Sequence, residues 1–288
     1  MIVSKYFVWF IIYSFMGWIY ESTYCTIRKH HWENRGFLHG PIVPIYGVGA
    51  LLASILFSEL PISGLQEASN LKIFLICFFG SIVLEYTTSW GLEKLFHAYW
   101  WDYSDVFCNI NGRVCLPASI GFGCAGILVV RVIYPFVNGM THNTNPYLME
   151  GLSLAFMFVF GMDMALTVSA LTNFAKNFNR IETEINEQIA NAYEKLDTSV
   201  SDAIESAIEK SEQFQESAFV RKELAEEKAA ALRDRLTKER LENLFLSSSA
   251  AQKSTFLSIQ GFKRSKQGNE LRQRMRNLIN EKRHTKHS

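Results

Sequence analysis

Proline is scarce in this chain and unevenly placed. There are six in 288 residues, the last of them Pro146. A proline ring inside a helix removes a backbone hydrogen bond and clashes with the preceding turn. The second half therefore contains no residue of that kind to end a long helix. Charge is scarce elsewhere. Residues 1–175 carry 8 Lys and Arg against 10 Asp and Glu, thinly scattered among apolar runs. Residues 176–262 carry 12 against 16, and residues 263–288 carry 9 against 2. A formal net charge of +1 thus conceals an apolar half, a mixed-charge middle and a basic end.

Other absences exclude whole classes of chemistry. The five cysteines (Cys25, Cys77, Cys108, Cys115, Cys124) are odd in number and form no C-x-x-C, so neither a disulfide framework nor a zinc site is indicated. They read as buried or membrane-facing thiols. No G-x-x-x-x-G-K-[ST] occurs, so the chain has no P-loop of its own. Gly121-Phe122-Gly123-Cys124-Ala125-Gly126 fits G-x-G-x-x-G, but it lies within an apolar run rather than at a strand-to-helix turn. Its glycines read as points of close helix packing. His30, His31 and His39 lack a second ligand cluster and read as surface histidines, so neither a metal nor a cofactor is expected. No catalytic constellation stands out.

What is present is a series of apolar runs, at about Val3–Cys25, Pro41–Ser58, Leu71–Phe96, Leu116–Val137 and Tyr147–Phe174. Crossing ~30 Å of hydrocarbon takes about 20 helical residues. A cleaved signal peptide is disfavoured, because the only early cation is Lys5 and the first run continues through Trp18 and Tyr20 with no small-residue cleavage pattern. The expected fold is all-α: a polytopic membrane bundle of about five spans over residues 1–175, then a long cytosolic, coiled-coil-like amphipathic helix over 176–246, then a basic segment, flexible or short-helical, over 247–288. Arg28, Lys29, Arg35, Lys94, Arg113, Lys176 and Arg180 mark one side as cytosolic. The N-terminus is then outside and the tail inside the cell, with Lys5 dissenting.

Polar residues within or beside the spans are few and therefore informative. Between the first two runs lies Asn34-Arg35-Gly36-Phe37-Leu38-His39-Gly40-Pro41, continuing through Pro44 to Tyr46-Gly47. Its glycines and prolines read as a hinge from a cytosolic loop into a helix. Glu21 and Glu85 lie in the cytosolic halves of the first and third spans, and carboxylates at such depth face a partner or a wet cavity. Asp102, Asn111 and Arg113 follow in the third loop. Together Glu21, Arg35, Glu85, Asp102, Asn111 and Arg113 are expected to line a polar, substrate-binding vestibule open to the cytosol; structural ion pairs and an aromatic belt at Trp100 and Trp101 are the alternative. Asp163, mid-way along the fifth span, is a second candidate, to bind a cation, relay a proton or cap an interhelical hydrogen bond. Arg131 reads as a snorkelling side chain.

Gly-Trp-x-Tyr-Glu at 17–21, Asn-Arg-Gly-Phe-Leu-x-Gly-Pro-x-x-Pro-x-Tyr-Gly at 34–47, Leu-Glu-Tyr at 84–86, Trp-Trp-Asp-Tyr-Ser at 100–104 and Asn-Gly-Arg at 111–113 resemble the bacterial ABC-transporter type IV membrane-protein family. The resemblance covers the chain to about residue 140 and implies a permease-like polytopic protein. The expected function is a permease-like or accessory subunit of a transport system, with ATP hydrolysis left to a separate subunit. A membrane-embedded enzyme acting on a lipid-linked or phosphorylated substrate is one alternative, and a membrane-anchored scaffold is another.

The tail has its own pattern. Ile181, Ile185, Ile189, Ala192, Leu196, Val200, Ala203, Ala207, Ser211 and Phe214 recur in steps of four, four and three. An eleven-residue repeat favours a straight or weakly right-handed seam. Self-association through the 178–246 helix is the preferred expectation, with a break near Ser247-Ser248-Ser249. The basic end, Lys263 to Lys286, is expected to meet anionic lipid, or less readily nucleic acid; it has too few aromatics to propose base stacking.

Overall fold

The structure is a computed structural model, which describes residues 2–29, 36–62, 64–96 and 98–205, and positions 231, 235, 239 and 259 besides. Its helices begin where proline and extended backbone allow. Helix α1 runs Ile2–Lys29 without a proline to interrupt it. Helix α2, Pro44–Ser54, starts at Pro44 after an extended Val43 (φ −117°) and continues as a π-helical turn, Ile55–Glu59. Helix α3 spans Asn70–Phe96. A short hairpin follows, β1 (Asn109–Ile110) against β2 (Val114–Cys115), antiparallel. Helix α4, Leu116–Leu128, again has a proline in its first turn, where the missing N–H costs nothing. A π-helical turn, Val129–Ile133, joins it to α5, Tyr134–His142, and accommodates Pro135 without ending the rod. Helix α6, Pro146–Glu205, opens with the Asn145 side-chain oxygen accepting the Tyr147 N–H at 2.9 Å.

Among the described residues, four helical stretches are long and apolar enough to cross a membrane: Ile2–Ile27, Asn70–Phe96, Leu116–His142 and Pro146–Asn173. Pro44–Glu59 is apolar but shorter. The chain is thus an all-α, multi-pass membrane protein with four candidate spans, where the hydropathy pattern predicts five. The difference lies in the second run, whose first three residues are not helical. Gly40-Pro41 and Pro44 hold residues 36–43 in a series of bends.

That irregular segment is not at a helix end. The Val43 N–H donates to the Ser14 carbonyl at 3.1 Å, and Ser14 lies ~18 Å along α1 at ~1.5 Å per residue. At the far end of α2, Glu59 meets Lys5 at 3.2 Å, so α2 runs antiparallel to α1. Glu59 also accepts from the Tyr134 hydroxyl at 2.9 Å, joining α1, α2 and α5. Glycines set the spacing of α1 and α2. A methyl group on Gly47 would lie 2.7 Å from the Phe10 carbonyl, and one on Gly17 would overlap Tyr46.

Two units are distinguished, Met1–Leu171 with Ala250–Lys266, and Thr172–Ser249 with Gln267–Ser288. In the second, the described part continues α6 as helix to Glu205, with Arg180 and Glu184 paired at 2.8 Å one turn apart. Helix thus covers the first part of the predicted tail. The seam beyond Glu205, the serine break at 247–249 and the basic segment lie outside the described residues.

Candidate functional site

The sequence stretch around Gly40 is held by three helices at once. From α6, Asp163 accepts the His39 backbone N–H at 3.1 Å through one carboxylate oxygen and the Gly40 N–H at 2.9 Å through the other. His39 Nδ1 lies 2.7 Å from the hydroxyl of the fully buried Thr167, one turn further along α6. From α1 comes the Ser14 carbonyl already described. From the end of α3 and beyond, Phe96 and Trp100 close the other side, with the Phe37 and Trp100 ring centroids 5.3 Å apart. Irregular backbone at membrane depth is tolerated only where protein satisfies its polar groups. Asp163 performs that service for two consecutive N–H groups. His39, expected at the surface, is largely buried and bonded instead. Trp100, which the alternative reading puts in an aromatic belt, is buried too.

Glu85 lies on a polar stripe of α3. Ser81, Glu85, Ser89 and Glu93 recur every four residues, which places them on one face, and the first three are buried. One Glu85 oxygen accepts a long 3.5 Å hydrogen bond from the Tyr103 hydroxyl. The other, Oε2, is enclosed and has no hydrogen-bond partner. The charges of both Glu85 and Glu21 act on the phenols of Tyr103 and Tyr46. Tyr103, in the loop between α3 and β1, is pushed well above the ordinary phenol range, chiefly by burial and then by the Glu85 charge, with Cys115 and Glu21 adding to it. Glu21 and Glu85, on α1 and α3 respectively, thus act electrostatically on the same two tyrosines.

Of the other predicted residues, Arg113, Asn111 and Asp102 have partners of their own. Arg113 pairs with Glu93 at 2.5 Å, reaches Ser89 at 3.5 Å and covers the Tyr86 ring at 5.4 Å. It thus stands at the outer end of the stripe. Asn111 donates to the Tyr86 hydroxyl at 3.2 Å. Asp102 turns into its own loop, accepting the Ser104 N–H at 3.0 Å and the Ser104 hydroxyl at 2.5 Å. That loop is tied to the hairpin by Tyr103 N–H to the Gly112 carbonyl (2.8 Å) and Trp101 Nε1 to the Arg113 carbonyl (2.9 Å). Arg35 lies outside the described residues. Arg131 reaches the Asn70 side chain at 3.1 Å and the Ala68 carbonyl, so it braces the start of α3.

Tyr46, Tyr103, Glu93 and Ser89 were not among the expected site residues. The four-residue spacing from Ser81 to Glu93 was a visible signal for the last two. Both tyrosines stand in the family-like motifs at 34–47 and 100–104, but nothing in those motifs tells that α2 and a loop more than fifty residues later share a carboxylate's influence. Among the described residues no group of three or more His, Cys, Asp or Glu could hold a metal ion.

The family profile described as "Putative ABC-transporter type IV" matches residues 8–168. The match reaches beyond residue 140 and takes in Asp163 and Thr167, the α6 residues that hold the Gly40 segment. No curated protein and no solved structure matches the chain.

Proposed function

The chain belongs to the ABC-transporter type IV family, and we propose that it serves as a permease-like or accessory subunit of a transport system, with a polar site reached from the cytosol. The observation carrying this reading is Glu85: a carboxylate on a membrane helix, 4% exposed, with one oxygen unpartnered. Groups of this kind within a membrane segment mark paths for substrates or ions. Glu21 joins Glu85 at the shared tyrosines, Arg113 and Asn111 stand toward the loop, and Asp102 shapes that loop. Arg35, in the same stretch as His39 and Gly40, completes the proposed vestibule. ATP hydrolysis belongs to a separate subunit in this reading.

The proposal includes five crossings, the second made by the irregular 36–43 segment and the short Pro44–Glu59 helix together. The N-terminus is then outside and the end of the α6 span inside. Lys5, the dissenting cation, is already neutralised by Glu59. Self-association through the 178–246 helix and contact of the basic end with anionic lipid belong to the same reading.

Replacement of Glu21 or Glu85 by Gln, at normal protein abundance, is expected to abolish the growth or transport phenotype of a deletion strain's rescue. Unimpaired rescue by both variants would overturn the reading. Purification from membranes is expected to bring down an ATPase. Removal of residues 176–288 tests the scaffold alternative: retained activity supports the membrane half as the working part.

A further inference from the structure

We propose that Glu85 is a proton-binding site: its enclosed oxygen holds a proton, making a neutral carboxylic acid in this structure, and releases it when the loop bearing Tyr103 opens. The inference rests on the transport reading and names the proton as the ion that the site carries.

The Glu85 carboxyl is enclosed and almost unanswered. It is 4% exposed, its Oε2 atom meets no donor, and its Oε1 atom meets the Tyr103 hydroxyl at 3.5 Å, long for a hydrogen bond between oxygens. None of the ion pairs of the described residues includes it. Asp163 in the same bundle differs, for backbone N–H groups answer both of its oxygens. A carboxylate withdrawn from water with neither a cation nor a set of donors is costly, and a group so placed neutralises. Taking up a proton does this without a cavity, because the proton occupies a lone pair of the carboxyl itself.

The neighbouring groups leave that proton to Glu85. Helix α4, packed along α3, has no titratable side chain except the exposed Cys124. Helix α2 brings Tyr46, the loop after α3 brings Tyr103, and β2 brings Cys115, and the ionised form of Glu85 acts on all three. Glu21 of α1 acts on the same tyrosines and is itself not without a partner. Arg113 is taken by Glu93, and Asp102 by Ser104. Phenols and thiols ordinarily keep their protons to higher pH than a carboxyl does. Burial holds the Tyr103 phenol higher still, so its hydroxyl donates to Oε1 and the proton on Oε2 is that of Glu85.

The α3 stripe supplies a polar way out. Ser89 lies one turn beyond Glu85, Arg113 reaches the Ser89 hydroxyl at 3.5 Å, and Glu93 pairs with Arg113 one turn further on. In the release step the O–H bond at Oε2 breaks, its electron pair stays on the carboxylate, and a water molecule takes the proton. Uptake is the reverse.

The test is infrared spectroscopy of the full chain in lipid nanodiscs at about pH 7, where exposed carboxyls are ionised. A carbonyl stretch from one protonated carboxyl is expected, shifted by heavy water and by carbon-13 labelling of glutamate. It is expected to be lost in Glu85→Gln and unchanged in Glu150→Gln, an exposed carboxylate at the start of α6. Raising the pH is expected to replace the band by carboxylate bands, the ratio of the two forms changing about tenfold per pH unit. The labelled wild-type chain guards against misfolding of the variant: absence of a glutamate-shifted band overturns the inference without any substitution. Survival of the band in a folded Glu85→Gln variant, or a wild-type band indifferent to pH up to about 10, overturns it equally. If the band is absent while Glu85→Gln still abolishes rescue, the proton site falls and the transport reading stands. If Glu85→Gln removes the band yet rescues fully, the transport reading falls, and with it the proton's part in transport.

Discussion

A carboxylate oxygen of Asp163 stands 2.9 Å from the backbone nitrogen of Gly40, a residue 123 positions earlier in the chain. That contact joins a mid-span residue of the last membrane helix to the bend before α2. It also leaves no room at Gly40, where an added methyl group would come within 2.9 Å of the same oxygen.

Asp163→Ala is therefore expected to leave two part-buried N–H groups without an acceptor and to destabilise the folded chain by about 2–5 kcal/mol. Asp163→Asn keeps one acceptor and is expected to fall in between. Thermal unfolding in detergent, with proteolysis of the 36–43 segment as a local readout, checks both. Wild-type behaviour of Asp163→Ala would show the anchoring to be dispensable.

The glycines of α4 separate into two kinds. A methyl group on Gly123 would come within 2.6 Å of the Phe74 ring, and one on Gly126 within 2.5 Å of Cys77 Cβ, whereas Gly121 has nothing within 4 Å. Gly123→Ala and Gly126→Ala are expected to push α3 and α4 apart, at about 1–3 kcal/mol each. Gly121→Ala is expected to be neutral or slightly stabilising through helix propensity. Melting temperatures of the three variants decide it.

Arg113 and Glu93 form a largely buried pair at 2.5 Å. Removing one partner strands the other charge, so Arg113→Leu and Glu93→Leu are each expected to cost about 3 kcal/mol or more. The double variant is expected to recover part of that loss. A double-mutant cycle on unfolding free energy measures the coupling, and strict additivity would argue against it.

Tyr103 predicts an alkaline limb in stability. In the unfolded chain its phenol titrates at the ordinary value of 10.0, whereas in the folded chain burial, and then Glu85, hold it higher. The unfolded state thus loses its proton first as pH rises. Tyr103 leaves stability unchanged below about pH 10, then lowers it by up to ~1.4 kcal/mol per pH unit until the folded phenol also ionises. Tyr103→Phe is expected to flatten this limb in melts taken between about pH 8 and 11. An alkaline limb of the same slope in the variant would rule the contribution out.

Much of the membrane architecture is written in short-range chemistry. Long apolar runs set α1, α3, the α4–α5 rod and the α6 span, and proline positions set where α2, α4 and α6 begin. The lack of proline after Pro146 is matched by unbroken helix to Glu205. The hairpin at 109–115 was legible too, though not anticipated: Asn111-Gly112 is a pair suited to positive φ, and both adopt it, at 53° and 67°. The second run was the exception, because hydropathy averages over residues and does not register that Gly40, Pro41 and Pro44 keep its first part from coiling.

Partnership was decided only by the fold. Composition and spacing determined that Glu21, Glu85 and Asp163 are carboxylates in apolar surroundings, a local property of each residue and its neighbours. Tertiary structure decided that Asp163 holds the Gly40 segment, that Glu93 takes Arg113, and that Glu85 is left beside Tyr103 with an oxygen unanswered. Such choices depend on which helix faces meet across more than a hundred residues of chain, and hydrogen bonds and charge pairs form between faces, whereas hydropathy and helix propensity act along the strand of sequence itself.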